Sequence, residues 1–138
     1  MKQLIDKLIQ DEMFHMIYKK SPSVETNNTK KDITNILLTM RQEMQSADVV
    51  KMRQLQNMIR HIGMIDDVVN VLLKRLIFKE MSYRDLFQTC VDFLFAICYT
   101  NPSCQRSLLG ELNFFLDMMD NKVETGLLIS EIIKSNTD

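Results

Sequence analysis

Turn-forming residues are scarce: three glycines and two prolines serve a chain of 138 residues. A β-rich domain needs more of them, and βαβ units would need strand-like runs between helices that this sequence does not offer. Cationic excess is missing too. The formal net charge is −1 and the pI is near 6.1, with Lys19–Lys20 and Lys30–Lys31 as the densest basic spots. Nothing here gathers the clustered positive charge that nucleic acid or an anionic membrane selects. No apolar run approaches the length of about 18 residues that reads as a bilayer span. The opening MKQLIDKLIQDEMF interleaves charges too often for a signal peptide. These absences predict a cytoplasmic protein with no nucleic-acid partner and no direct membrane insertion.

Residues that carry chemistry are equally few. The three cysteines, Cys90, Cys98 and Cys104, are an odd number without C-x-x-C spacing. That argues for a reducing compartment over a disulfide framework, and against a zinc site. A catalytic thiol needs a base, and His61, the histidine nearest in sequence, precedes Cys90 by 29 residues. Cys90 and Cys98 therefore read as small buried apolar residues. Cys104 falls in the first turn of an expected helix, where the positive helix end lowers a thiol pKa, so a reactive role stays open for it. His61 reads as a cation near a helix C-terminus, and His15 lies beside an apolar stripe. The Asp66–Asp67 pair is explained by a helix start. Glycines at 63, 110 and 126 alone build no phosphate loop, and no calcium loop is present. The sequence thus predicts no catalytic set, no metal and no cofactor.

What remains points to helices. Hydrophobic residues make up 46% of the chain and eleven are methionine, an unbranched side chain at home in helices. Residues 1–20 read as an N-terminal helix with Ile5, Leu8, Ile9, Met13, Met16 and Ile17 on one side. Residues 21–28, around Ser21-Pro22-Ser23, read as a flexible linker. Residues 29–138 read as one helical domain. Its first helix opens at Thr29 as N-cap and carries the stripe Ile33, Leu37, Met40 and Met44. Ser46 reads as the next cap, before a helix with Met52, Leu55, Ile59 and Ile62 that ends at Gly63. A helix from Ile65 through Val68 and Leu72 follows, then one from Ser82 to about Tyr99. That last helix is apolar nearly all round from Cys90 to Tyr99, with Asp92 the only charge, and is expected to be central. Asn101 and Pro102 suit the N-cap and first helical position of the next helix. Further helices near 111–119 and 123–134 complete the set.

The expected core comprises Leu55, Ile59, Ile62, Val68, Leu72, Cys90, Phe93, Leu94, Ile97, Cys98, Leu109 and Phe115. The expected interaction surface is the polar stripe Lys51, Arg53, Gln54, Gln56, Asn57 and Arg60. An internal echo at an offset of 50 pairs Met58 with Leu108, Ile59 with Leu109, Ile62 with Leu112, Ile65 with Phe115, and Val68–Val69 with Met118–Met119. Seven to eight short helices with such an echo suggest an all-α, armadillo- or HEAT-like α-solenoid fragment, the alternative being a simple bundle.

The segment from Val50 to Met119 also resembles the ryanodine and inositol trisphosphate receptor homology domain. The resemblance runs through KMRQLQNMIRHIGMIDDVVNVLL and FLFAICYTNPSCQRSLLGELNFFLDMM. It falls on Arg53–Gln54, Ile59, Gly63, Val68, Cys98–Tyr99, Asn101, Gln105, Leu109, Phe114–Phe115 and Met118–Met119. It implies an armadillo-like unit of the cytosolic assembly of intracellular calcium-release channels, at the cytosolic face of the endoplasmic reticulum. Such a unit relays conformational change to other domains through protein contacts. Neither a pore segment nor the β-trefoil ligand domain of those channels is recognisable. The alternative expectation is a free-standing armadillo-like adaptor that binds a peptide or a helical partner.

Overall fold

A computed structural model describes residues 3–7, 24–74, 84–120 and 123–134, and the fold among them is all-α. Residues 3–7 are helical, with Ile5 fully buried. The remaining helices are α1 (Val24–Ser46), α2 (Val49–His61), α3 (Met64–Asp66, widening into a π-helix at Asp67–Leu73), α4 (Arg84–Cys98), α5 (Pro102–Leu108), α6 (Leu112–Asp120) and α7 (Gly126–Ile133). A 3₁₀ turn, Leu109–Glu111, joins α5 to α6.

The centre is α4, as its near-continuous apolar sequence requires. It packs against α1, α2, α5 and α7 and touches the π-helical segment. Cys90, Phe93, Leu94, Ile97 and Cys98 on α4 are fully buried, together with Val68, Leu72 and Phe115 from its neighbours. The α1 stripe fits the expected spacing: Ile33, Leu37 and Met44 are buried and Met40 packs partly against them. No helix among the described residues is long and apolar enough to cross a membrane.

Several boundaries differ from those the sequence suggests. Helix α1 begins at Val24, so residues 24–28 belong to it and the expected cap at Thr29 lies inside the helix. Of the expected linker 21–28, residues 21–23 lie outside the described residues, as do residues 1–2 and 8–20 of the expected first helix and the expected helix start at Ser82. Asp48, not Ser46, caps α2, its carboxylate accepting from the Lys51 backbone N–H at 2.8 Å. Ser46 is instead the last residue of α1 and donates its hydroxyl back to the Glu43 carbonyl at 3.4 Å. Nothing in the residue pattern announces the π-helical widening at Asp67–Leu73.

Other expectations hold. Gly63 takes the left-handed conformation at φ 83° and ends α2, a backbone state that costs glycine little. Asn101 caps α5 with Pro102 directly inside, its side chain accepting from the Cys104 N–H at 3.2 Å.

Three expected core residues are corrected. Ile62 is 60% exposed, because it follows the last turn of α2 and the chain swings away at Gly63. Leu109 is 39% exposed, because α5 tightens into the 3₁₀ turn there and the buried line of α5 is Cys104 and Leu108, four residues apart. Leu55 is only half-buried against the core. The echo at an offset of 50 is matched in burial at Ile65 with Phe115 and Val68 with Met118. It is not matched at Met58 with Leu108, Ile59 with Leu109 or Val69 with Met119, where one partner is exposed and the other buried.

Candidate interaction surface

The polar stripe expected on α2 is mostly turned inward. Only Lys51 and Gln54 are exposed; Arg53, Asn57 and Arg60 are half-buried and Gln56 is fully buried. Gln56 follows Met52 by four residues and precedes Ile59 by three, so helical geometry puts its amide on the apolar side. There it caps the end of α4. The Gln56 amide nitrogen donates to the carbonyls of Ala96 and Tyr99, both at 2.9 Å. Its oxygen accepts from Asn101 at 3.0 Å, and Asn101 also donates to Asn57 at 3.2 Å. These bonds satisfy the last carbonyls of α4, which no intrahelical donor reaches.

The same corner is closed from α5 and α7. Gln105 donates to the Cys98 carbonyl at 3.0 Å and to buried Glu131 at 3.2 Å. Glu131 also accepts from the Thr100 N–H at 2.8 Å and pairs with Lys134 at 3.1 Å. Arg53 donates to the Thr100 carbonyl at 2.6 Å. Thr100 is thus held from both sides in the left-handed conformation, at φ 50°, which a β-branched residue adopts only under constraint. Buried amides left without partners would each cost about 1–3 kcal/mol, so this network fixes the turn geometry firmly.

The thiols are shut away from solvent. Cys90, Cys98 and Cys104 are free and fully buried. Burial pushes the Cys90 thiol up, and burial with the nearby Cys104 and Glu131 does the same for Cys98. For Cys104 burial again prevails and raises the pKa, against the pull of the Arg60 and Arg53 guanidiniums. Its S–H donates to the Gln56 carbonyl at 3.9 Å, and the neighbouring Arg60 Nε is buried without a well-formed hydrogen bond. The one cysteine open to reactive chemistry is therefore closed off from solvent. His61 is exposed at the end of α2, and His15 lies outside the described residues. Among the described residues no group of three or more His, Cys, Asp and Glu side chains is placed to hold a metal ion.

The open surface lies on the other side of α4. Two hollows flank the half-buried Phe95 ring. One, about 280 Å³, is lined by Met44, Gln45, Met52, Phe95, Ala96 and Tyr99. The second, about 380 Å³, is bounded by Gln88, Val91, Asp92, Phe95, Leu127 and Leu128, with Glu124 and Gly126 at the rim. The outward residues Gln88, Asp92, Phe95 and Tyr99 recur at helical spacing and form the floor between α1 and α7. Phe95 and Tyr99 rings lie 5.9 Å apart in a tilted arrangement. Leu127 stands 75% exposed on the α7 wall.

Acidic groups mark the second hollow. Asp92 is partly exposed and sits 3.5 Å from Arg41 of α1. Glu124 is exposed, while its backbone is pinned in both directions: its N–H donates to the Gln88 side-chain oxygen at 2.9 Å and its carbonyl accepts from the Gln88 amide at 3.0 Å. A sequence reading misses this groove because α4 looks apolar all round. The usable signal is that Gln88 and Asp92, the polar exceptions, share a face with Phe95 and Tyr99. Comparison of the chain with family models, with curated proteins and with solved structures returns no match.

Proposed function

We propose that the chain is a non-catalytic helical interaction module that holds an apolar segment of a partner protein in the groove along α4. The observation that carries this reading is the pair of hollows on either side of Phe95. Phe95 and Tyr99 give the floor its apolar part, with Met44 and Met52 beside the first hollow and Asp92 and Glu124 beside the second. Grooves of this kind seat the apolar face of an amphipathic helix, and methionine walls adapt to more than one side chain. Burial of all three thiols agrees with a role that does not use them chemically.

The finer reading places this module among armadillo-like repeat units that relay movement within a calcium-release-channel assembly. It is supported by the residues of the resemblance that knit one corner together: Arg53 and Gln105 bind the turn that ends α4, and Asn101, which follows that turn, caps α5. A corner so tied moves as a unit with α2, α5 and α7, which suits a relay.

Selection of displayed helical peptides against the immobilised chain tests the groove. Enriched peptides are expected to carry two bulky apolar residues and to lose binding to a Leu127→Glu variant. Enriched peptides that bind Leu127→Glu as well as the parent chain would overturn the reading. The channel reading predicts direct binding to another cytosolic portion of a calcium-release channel in biolayer interferometry, and no binding there would remove it.

A further inference from the structure

We infer that the groove along α4 receives the outer face of α2 from a second copy of this chain. The inference rests on the reading of that groove as a partner site and names its occupant. Helix α2 buries Gln56 and Ile59 on its inner side, yet its outer side is not an ordinary solvated face. Val50 is 69% exposed, Met58 50% and Ile62 60%, and with Gln54 they stand at strict four-residue intervals. That spacing makes a single ridge along the helix surface. Lys51 and His61 share the exposed arc, and α2 as a whole contains Lys51, Arg53 and Arg60 with no acidic residue, in a chain of formal net charge −1.

Ridge and groove fit each other in length, shape and charge. From Val50 to Ile62 the ridge extends about 18 Å, and from Gln88 to Tyr99 the groove extends about 16 Å, at the rise of an α-helix. The ridge is convex and apolar with a lysine beside it. The groove is concave and largely apolar, with Asp92, paired to Arg41, on its floor and the exposed Glu124 at its rim. A mobile anionic or cationic ligand would use only one of these properties, and a partner helix bearing Lys51 beside Met58 uses them all. Ridge and groove occupy different surfaces, so the contact is head-to-tail, and each added copy leaves one of each free for the next.

The test is sedimentation velocity and equilibrium on the full chain over a wide concentration range. Expected is a mass that rises with concentration. Met58→Glu alone and Leu127→Glu alone should each weaken association by about tenfold or more. An equimolar mixture of the two variants should form a dimer and grow no further, since one intact ridge then meets one intact groove. Both substituted positions are exposed, and an unchanged circular dichroism spectrum with the parent's urea midpoint verifies that each variant folds. As a second arm, Lys51→Glu should weaken association and the pair Lys51→Glu with Glu124→Lys should restore it. A parent chain that sediments as a monomer at every concentration overturns the inference, as does a mixture of variants that stays monomeric. Peptide selection against the groove reads separately, so a monomeric chain with a peptide-binding groove would sink self-association and spare the interaction module.

Discussion

The two aspects of α4 are built from opposite materials. Its C-terminal end is closed by buried amides, a buried carboxylate and a strained threonine, every one of them hydrogen-bonded. Its outward face is open, apolar and framed by flexible side chains. The difference separates specificity of fold from capacity to bind. Polar groups with fixed geometry make the turn unique at little net gain in stability, whereas an unfilled apolar surface is free energy left available for a partner.

This contrast yields a graded set of outcomes. Phe93 is fully buried in the core beneath α4, and Phe93→Ala should cost about 3–5 kcal/mol in urea unfolding, or abolish folding outright. On the closed end, Gln56→Leu strands the carbonyls of Ala96 and Tyr99 and should cost about 2–3 kcal/mol. Gln54→Ala, two residues away and exposed, should stay within about 0.5 kcal/mol. Equal losses at positions 54 and 56 would erase the distinction drawn between an inward and an outward amide. The strained turn supplies the opposite sign: Thr100→Gly should raise the unfolding midpoint, gaining about 1 kcal/mol from relief of the left-handed backbone.

A pH series sharpens the picture of the closed interior. The cysteine thiols have folded pKa values above the unfolded value of 9.0, so the folded state holds protons that the unfolded chain releases. Their stabilisation is fully present below pH 9 and is lost as pH rises beyond it, with a slope approaching about 1.4 kcal/mol per pH unit for each of the strongly shifted thiols, Cys90 and Cys98. Comparing Cys90→Ala with the parent between pH 8 and 10.5 isolates one such contribution; a slope unchanged by the substitution would mean that Cys90 is not buried as described. The smallest effect on stability belongs to the open face, where Leu127→Glu should leave the urea midpoint within about 0.5 kcal/mol.

The sequence made the helical class legible because periodic apolar stripes and a shortage of turn residues agree with one another. It also placed Gly63, Asn101 and Pro102, whose backbone chemistry is local and therefore readable. Ile62 and Leu109 were misplaced because periodicity extends a stripe past the point where the backbone changes course. Gln56 was misassigned because residue type outweighed position: an amide was taken for surface although Met52 and Ile59 bracket it. The groove depends on which neighbours stand beside α4 and how far apart, and that arrangement is set by tertiary packing that no single segment encodes.

The reciprocal bonds between the Gln88 amide and the Glu124 backbone imitate one rung of a β-ladder, with a side chain standing in for a strand. That rung anchors the acidic side to α4, while on the opposite side Met44 is held in the core and the half-buried Met52 is the residue that shifts among rotamers at little cost. The groove therefore works like a vice with one fixed jaw and one padded jaw. In the proposed interaction, discrimination among partners would fall to the fixed side, where a misplaced charge has nowhere to relax. The padded side would accommodate differences in the size of the apolar residue seated there.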